Sequence, residues 1–386
     1  MAMLAGITVL DLASVGPASR ASRWLADYGA TVVKVGPVAA QRSVQLTPPF
    51  HAYGAQRAMK RIQFDLKAPE GREAFLRLAA GADVLIESFR PGVTARLGIG
   101  YADVRAANPG IVYCSTTGYG QDGPYAEWAG HDLNYLAVGG FLDCSGRGAD
   151  DGPALPGATV GDSAGGGMHA VMAILAALVR RSTGGEGAYL DVAATDGVLA
   201  LMSLQVDEFL ATGVVPGPGH DVLTGRYAHY GTYRCADGKW LSVAAIEPRF
   251  WANLCRLLGL ERWISHQIDE AVQERIRADL RSVFATRDRD AWVEELAPAD
   301  TCVAPVLAVD ELVRDPHHLA RHAFVDAAHP VHGAFRQVGP VLAGMVSPPE
   351  PCPVPDVSAT DTDELLAAAG LSEADRTRLR AAGVVA

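Results

Sequence analysis

One histidine and two carboxylates have the residue types that proton-transfer chemistry needs. His131 belongs to the segment Gly-His-Asp-Leu-Asn-Tyr at 130–135, and Asp162 precedes a small-residue and apolar run that reaches Leu178. Glu247 ends an apolar stretch at the close of a predicted strand, where burial of an ionised acid is unfavourable. An imidazole and a carboxyl group that face one carbon could remove a proton and return it. Taken singly, each of these residues is more often a packed or capping residue.

Asp162 is predicted to be the N-cap of the helix that follows it. A carboxylate at that position accepts hydrogen bonds from the unpaired N–H groups of the first turn, and Arg180 and Arg181 suit the negative end of the helix dipole. The helix is expected to be too short, and too closely flanked by charge, to span a bilayer. Because His131 lies far ahead of Asp162 in the chain, the site depends on a fold that brings them together.

Two glycine-containing motifs suggest other chemistries. The segment 118–123 matches the GxGxxG pattern of dinucleotide-binding folds, but no long helix follows its third glycine to receive a pyrophosphate, which disfavours a nicotinamide site. The segment 161–165 matches GxSxG, the nucleophile elbow of serine hydrolases. The residues before it form a poor strand and no oxyanion loop lies upstream, so a serine hydrolase stays a minor alternative.

A group of histidines near residue 320 raises the question of a metal site. His318 and His322 share a predicted helical face with His317 close by, but Pro316 separates Asp315 from that face and no cysteine is near. Solvated or capping histidines explain this pattern better than a ligand set does. We therefore expect no metal ion.

Composition and charge describe an ordinary globular protein. Hydrophobic residues make up 49% of the 386 residues, charged residues make up 20%, and the net charge is −11. Such a negative charge disfavours general binding to nucleic acids or anionic membranes. The six cysteines are widely spread without a CxxC pair, and no signal peptide is evident. We expect a cytoplasmic protein with no nucleic-acid partner and no membrane partner.

Strand and helix patterns alternate along the first part of the chain. Apolar strands at 7–12, 31–35, 62–66, 83–87 and 111–115 are separated by helical segments. This spacing predicts an α/β fold with a parallel, doubly wound sheet. A Pro/Gly-rich segment after residue 212 indicates a linker, and an Asp-Gly turn after it predicts a hairpin.

Basic residues near the predicted strand ends could contact phosphate groups. Arg90 follows the strand that ends at Glu87, and Lys60, Arg61 and Lys67 flank another extended run. Ligands of open α/β sheets bind outside the carboxyl ends of the strands. On spacing alone, solvated surface cations explain these residues equally well.

Taken together, these segments resemble the family III CoA-transferase superfamily, and within it most closely the α-methylacyl-CoA racemases. The racemase likeness rests on His131, Asp162 and Glu247 in their local contexts, since a histidine is not usual at position 131 in members that transfer CoA. The likeness covers nearly the whole chain. The superfamily motifs lie at 4–12, 25–30, 64–67, 89–93, 117–124, 236–239 and 315–317.

The resemblance implies a two-domain architecture and an interlocked homodimer. It implies a large Rossmann-like CoA-binding domain over 1–200, a linker over 201–225, a small α+β domain over 226–322, and a segment over 323–386 that returns to the large domain. Each active site is then shared between the large domain of one chain and the small domain of the other. Glu247 would meet Asp162 across that interface.

The resemblance also implies an isomerase of lipid metabolism that racemises 2-methyl-branched acyl-CoA thioesters through an enolate. His131 and Asp162 would exchange the α-proton, and N–H groups near 165–167 would stabilise the enolate oxygen. Asp162 alone should have a lowered pKa at a helix N-terminus, and Glu247 would oppose that shift. No cofactor is expected beyond CoA in the substrate. The implied CoA contacts are Phe64, Asp65, Leu66, Lys67, Arg90, Gly130, Asp132 and Tyr135.

The sequence departs from the family pattern at two positions. Gly36-Pro37 stands where an acidic residue and an arginine or proline are common, so one contact to a CoA phosphate is absent unless Arg42 replaces it. Ala158 stands where racemases tend to have asparagine. Two alternatives therefore stay open: a family III CoA-transferase with Asp162 as nucleophile, and a divergent member with weakened or lost CoA dependence.

Overall fold

The computed structural model describes residues 2–38, 49–344, 351–356 and 358–386. The chain divides into two compact units, each of which has its own apolar core. The first unit consists of Met1–Phe141, Pro156–Leu204 and Pro316–Ala386, and the second consists of Leu142–Leu155 and Gln205–Asp315.

Six strands form the centre of the first unit. In chain order they are β1 (Thr8–Asp11), β2 (Thr31–Pro37), β3 (Lys60–Phe64), β4 (Val84–Glu87), β5 (Val112–Thr117) and β6 (Ala188–Ala193). Their order in the sheet is β3-β2-β1-β4-β5-β6, and every neighbouring pair is parallel. The predicted parallel α/β sheet is confirmed, with β6 as a strand that the sequence reading missed. The order reverses between β1 and β4, a point at which open α/β sheets bind ligands beside the strand ends.

Helices cover both faces of this sheet. The first five are α1 (Gly16–Asp27), α2 (Pro69–Ala79), α3 (Val93–Leu97), α4 (Tyr101–Ala107) and α5 (Asp132–Val138). The short helix α6 (Phe141–Cys144) follows α5, with all but its first residue in the second unit. Successive residues of a strand point to opposite faces, so Leu10 packs in the cluster that contains Phe75 of α2, whereas Val9 packs in the cluster that contains Ala18 of α1.

The helix that carries Asp162 starts before this residue. Gly161–Met168 forms a π-helix that continues directly into α7 (His169–Ser182). Val160, which precedes it, already has helical dihedral angles of φ −68° and ψ −40°. Asp162 therefore lies inside the helix, and the prediction that it is the N-cap is wrong.

The same continuous helix, Gly161–Ser182, is 22 residues long and has a mean hydropathy of 1.4 in its most apolar window. Among the described residues it is the one helix that could cross a membrane by length and composition. The prediction that it is too short and too charged is therefore wrong. Its inner residues Ala170, Ile174 and Leu178 are buried against the sheet, which gives it the packing of a core helix.

Glycines let the π-helix lie very close to α1 and to α8 (Ala194–Leu201). A Cβ on Gly197 of α8 would lie 1.9 Å from the carbonyl oxygen of Gly165. A Cβ on Gly166 would lie 2.6 Å from the Cβ of Pro17 in α1. These approaches fix the start of the π-helix between two other helices.

The segment 194–212 forms two helices rather than one. Met202 ends α8, and α9 (Ser203–Thr212) follows it. No residue of α9 is buried, although several of its side chains are large and apolar.

The second unit combines a three-stranded antiparallel sheet with helices. Its elements are β7 (Tyr230–Arg234), β8 (Trp240–Ala244), α10 (Pro248–Leu257), α11 (Gln273–Phe284), α12 (Arg289–Leu296), β9 (Val303–Pro305) and α13 (Val309–Leu312). The predicted hairpin is present as β7 and β8, which pair on both sides of the Asp-Gly turn. Trp251, Leu280 and Phe284 are buried at its centre.

The C-terminal part adds a second sheet and three helices to the first unit. Its elements are α14 (Pro316–Ala320), β10 (Phe324–His329), β11 (Gly333–Val338), β12 (Cys352–Pro353), α15 (Thr362–Ala368) and α16 (Glu373–Ala381). The chain end lies beside β3, where the N–H of Asp65 donates to the carbonyl of Val384 at 2.8 Å. The hairpin of β10 and β11 was not predicted from the sequence.

Candidate active site

The start of the π-helix is bonded to the start of α5 through two aspartates. The backbone N–H of Asp162 donates a hydrogen bond of 2.7 Å to Oδ1 of Asp132, the first residue of α5. Gly161 permits this approach, because a Cβ there would lie only 3.0 Å from the carbonyl oxygen of Asp132. The two helix starts therefore form one corner of the first unit.

His131 lies at the same corner because it is the N-cap of α5. Its backbone N–H donates to Oδ1 of Asn134 at 3.0 Å, which fixes the entry of the chain into the helix. His131 is exposed, whereas the side chain of Asp162 is 15% exposed. The imidazole is close enough to lower the pKa of Asp162. The structure thus brings together the two side chains that the sequence reading paired, and their catalytic roles stay a prediction.

Burial raises the pKa of Asp162 above its usual value, and this is the largest influence on it. Arg20 lowers the pKa, Asp132 raises it and His131 lowers it. The expectation of a lowered pKa is wrong, because the first turn does not present unpaired N–H groups to this carboxylate. The N–H of Asp162 bonds Asp132, and the N–H of Ser163 donates to the Thr159 carbonyl at 2.9 Å.

Arg20 of α1 is a charged member of this corner that the sequence reading missed. One of its terminal nitrogens lies 3.4 Å from Oδ2 of Asp162. Its Nε donates to Oγ of Ser163 at 2.9 Å, and its other terminal nitrogen donates to Oγ1 of Thr159 at 2.7 Å. The guanidinium also lies 5.0 Å from the ring centre of Tyr53. The one sequence signal for a role of Arg20 is its position near the N-terminus of α1, because a cation there is unfavourable for the helix dipole.

The glycines at 165–167 do not line an open surface. All three are buried, with Gly165 against α8 and the other two against α1. A Cβ on Gly167 would lie 2.8 Å from the ring of Trp24 and 3.1 Å from Cβ of Arg20. The prediction that these glycines let a thioester oxygen approach is wrong, because they instead let the helices pack closely.

The predicted CoA contacts on β3 and after it are partly in the core. Phe64 is 1% exposed and packs on Phe75, so its side chain cannot meet a ligand. Leu66 packs against the same cluster. Oδ1 of Asp65 accepts the N–H of Lys67 at 2.9 Å and so shapes the turn after the strand. The side chain of Lys67 is exposed at this end of the sheet.

Arg90 is also exposed, just beyond the carboxyl end of β4. Tyr135 is buried and its hydroxyl donates to the carbonyl of Gly130 at 2.6 Å, which fixes the loop before His131. Asp132 is engaged with Asp162, as described above. Contact of any of these residues with CoA stays a prediction, and Arg42 lies outside the described residues.

Glu247 belongs to the second unit, where it is exposed as the N-cap residue of α10. Its side chain makes no capping hydrogen bond. The predicted approach of Glu247 to Asp162 of another chain stays a prediction.

The alternative motifs do not have the local structure that their chemistry needs. Ser163 lies within the π-helix and its Oγ accepts a hydrogen bond from Arg20, whereas a nucleophile elbow places serine between a strand and a helix. Residues 118–123 follow β5 but open no helix there. Within the described residues, no group of three or more His, Cys, Asp or Glu side chains is arranged to hold a metal ion.

A second feature that the sequence reading missed lies beside α5. A hollow of about 240 Å³ opens between Tyr119, Tyr125, Val138 and Leu199. Tyr125 stacks on Trp128 with ring centres 4.0 Å apart, although both rings are partly exposed. Aromatic residues that are separated by several residues of loop show no regular spacing, so no sequence pattern predicts this surface.

The sequence and the fold both match known proteins. The family described as CoA-transferase family III matches residues 4–354. The chain belongs to CoA-transferase family III. It is 33% identical to the alpha-methylacyl-CoA racemase of Homo sapiens over 324 residues, which cover 83% of this chain and 82% of the racemase. It is 30% identical to the succinate–glutarate CoA-transferase of Agrobacterium fabrum over 345 residues, which cover 84% of each chain.

The fold comparison agrees with this membership. The crystal structure of a CAIB/BAIF family protein from Brucella suis superposes with a TM-score of 0.70 at 29% identity, over 84% of this chain and 89% of that one. The resemblance stated from the sequence is therefore confirmed, and the chain is an enzyme of this family. Because racemases and transferases both match at about 30% identity, the reaction has to be argued from the site.

Proposed function

We propose that this protein is an isomerase that racemises or epimerises 2-methyl-branched acyl-CoA thioesters. The observation that carries the proposal is the pairing of His131 and Asp162 at one corner of the first unit, where the pKa of Asp162 is raised by burial. A carboxyl group with a raised pKa lies closer to a neutral working pH, where it can both accept and donate a proton. A second acid–base group beside it meets the need for proton transfer on two faces of one carbon.

The chemistry conserves protons and electrons without a cofactor. In one direction the carboxylate of Asp162 takes the α-proton, and the C–H bonding pair becomes part of the enolate. The protonated imidazole of His131 then returns a proton to the opposite face of the α-carbon. In the other direction the two groups exchange roles. His131 suits this work because it is exposed at the N-cap of α5, next to the more buried acid.

CoA is the carrier part of the substrate in this proposal. Lys67 and Arg90 are exposed near the carboxyl ends of β3 and β4, where cations can bind phosphate groups. Gly36 and Pro37 end β2 as ordinary strand residues paired with β3. We infer that Lys67 after β3 and Arg90 after β4 compensate for the CoA phosphate contact that other family members make after β2. The strand order of the sheet supports the Rossmann-like assignment.

We infer that the active molecule is a homodimer. Large apolar side chains are exposed on α8 of the first unit, and others are exposed on α9 and in the segment after α9; exposed apolar surface of this kind usually marks an interface. A second copy of the chain would cover them and would also supply Glu247 beside Asp162. The protein would then act in the cytoplasm in lipid metabolism. The exposed residues are Leu199, Leu201, Leu204, Phe209, Leu210, Val214 and Val215.

One observation favours a second candidate, CoA transfer through Asp162. A nucleophilic carboxylate must be ionised, and Arg20 lies 3.4 Å from Asp162 and lowers its pKa. In that reaction the carboxylate attacks the thioester carbonyl and CoA thiolate leaves, which gives an anhydride on Asp162. The thiolate then attacks the Asp162 carbonyl of the anhydride, which releases the donor acid and leaves an Asp162–CoA thioester that passes CoA to an acceptor carboxylate. His131 would have no proton to move at the α-carbon.

The two reactions are separated by one incubation of the protein with each enantiomer of a 2-methylacyl-CoA in D2O without an acceptor acid. Racemisation predicts deuterium at the α-carbon, loss of optical purity and no adduct, measured by NMR and by mass spectrometry of the Asp162 peptide. The matched control Asp310→Asn, an exposed carboxylate of the second unit, should behave like the wild type. An adduct on Asp162 with no α-deuterium would show transfer and overturn the proposal.

A further inference from the structure

Arg20 occupies a position that the fold of α1 does not by itself explain. It lies one turn inside the N-terminus of α1, where the helix dipole is unfavourable for a cation. The side chain is nevertheless only 18% exposed. A charge held there out of water needs acceptors, and those acceptors come from the segment that begins the π-helix.

The guanidinium is held by four acceptors and a ring. Nε and the two terminal nitrogens reach Ser163, Thr159, Asp162 and the carbonyl of Gly16, the last at 3.3 Å. The ring of Tyr53 lies beside the guanidinium, and the Tyr53 hydroxyl accepts the N–H of Gly16 at 3.3 Å. Of the four acceptors, Asp162 is the one that carries a charge.

We propose that Arg20 is a positioning residue of the active site, which holds the Asp162 carboxylate ionised and in one orientation. Its catalytic meaning depends on the proposed function, whereas its effect on Asp162 does not. By favouring the carboxylate over the carboxylic acid, Arg20 favours the form of the enzyme in which Asp162 is the base and His131 carries the proton.

Four groups act on Asp162 from the elements around it. Arg20 on α1 favours the ionised form, and so does His131 at the N-cap of α5. Asp132, the next residue, favours the neutral form, as does burial of the carboxyl group. Tyr135 of α5 also faces Asp162, and its own pKa is raised, to about 12, by burial and then by the Asp162 carboxylate, so it stays neutral in the working range.

The direct test follows the ionisation of Asp162 without any substrate. The protein is labelled with ¹³C at aspartate side-chain carboxyl carbons and titrated by NMR, and the Asp162 signal is assigned by its absence in Asp162→Asn. We expect the midpoint for Asp162 to move to higher pH in Arg20→Met and in Arg20→Gln, and to move back toward the wild-type value in Arg20→Lys. An unmoved midpoint in the variants would reduce Arg20 to a packing residue and overturn the inference.

The matched control is Thr159→Val, which removes one acceptor of the same guanidinium and leaves all charges in place. Thr159→Val should leave the titration midpoint of Asp162 unchanged. A shift as large as that of Arg20→Met would show that the charge of Arg20 is not what sets the midpoint, and would overturn the inference. Arg20→Gln keeps a hydrogen-bonding side chain, so it provides the same test if Arg20→Met does not fold.

The catalytic half is tested by the pH profile of α-proton exchange. The acid limb should move to higher pH in Arg20→Met and be restored by Arg20→Lys, and each pH unit of displacement lowers the rate below the limb about tenfold. If the NMR midpoint of Asp162 moves but the acid limb of the exchange profile does not, the effect of Arg20 on the ionisation of Asp162 stands. In that case Asp162 is not the base of the rate-limiting step. Absence of exchange in the wild type would instead overturn the proposed function and leave the titration result standing.

Discussion

Two buried carboxyl groups of the first unit have raised pKa values but different surroundings. Glu87 ends β4 and is 2% exposed, and burial raises its pKa. Its carboxyl oxygens accept hydrogen bonds from two neutral donors, the N–H of Phe89 at 2.7 Å and the hydroxyl of Ser115. Asp162 is less buried than Glu87. Arg20 and His131 lower its pKa, and Asp132 raises it.

Burial raises the pKa of both carboxyl groups, but the groups that oppose this shift differ between the two positions. At Glu87 burial raises the pKa, and the two hydrogen bonds from neutral donors, which lower the pKa, oppose it only in part. At Asp162 burial raises the pKa and Arg20 lowers it, in a place that solvent can reach. A raised pKa alone therefore does not mark a catalytic residue; what distinguishes Asp162 from Glu87 is the ion pair with Arg20 and the exposed histidine near it.

The largest expected effect comes from replacing each acid by its amide. Asp162→Asn should lower the rate of racemisation on the order of 10³-fold or more, since a general acid–base group is lost with little change of shape. Glu87→Gln should leave the rate near that of the wild type. Racemisation is measured by optical rotation or chiral chromatography of the released acid. Equal losses in the two variants would contradict the distinction between the two sites.

A smaller effect is expected on the pH dependence of stability at Glu87. The folded-state pKa is raised above the unfolded value, so the folded protein keeps a proton that the unfolded chain has lost. This contribution to stability is fully present below the unfolded pKa and is lost as the pH rises through the folded pKa.

Glu87→Gln should remove this fall, because the amide does not titrate. Its free energy of unfolding should differ from that of the wild type by no more than about 1 kcal/mol at low pH, where both side chains are neutral. The free energy of unfolding of the variant should increase relative to that of the wild type as the pH rises. Urea unfolding at several pH values measures this difference, and a constant difference across the range would mean that folding does not raise the pKa of Glu87.

Much of the sheet was predictable because its signals are local. The strands at 7–12 and 31–35 are continuous apolar runs, and Pro69 and Gly29 mark helix boundaries that the structure retains within a residue or two. β6 was missed because Asp191 interrupts the short apolar run Ala-Tyr-Leu-Asp-Val-Ala, which follows a glycine-rich turn.

The candidate site was predictable only in part, for a physical reason. His131 and Asp162 could be paired through the resemblance, whereas Arg20 reaches Asp162 from a helix more than a hundred residues earlier, and that meeting is a property of packing alone. The glycines at 165–167 were misread because the sequence does not tell whether a missing Cβ makes room for a ligand or for another helix. The close approaches to Pro17 and Gly197 show that here it is another helix.

The central claim is that His131 and Asp162 act on opposite faces of one α-carbon, and enantiomer-specific exchange tests it most directly. The wild type, His131→Ala and Asp162→Asn are each incubated in D2O with the separate enantiomers of a 2-methylacyl-CoA, and α-deuterium is followed by NMR. The account predicts exchange from both enantiomers in the wild type, and in each variant loss of exchange from one enantiomer, a different one in the two variants. Unchanged exchange from both enantiomers in His131→Ala would contradict it.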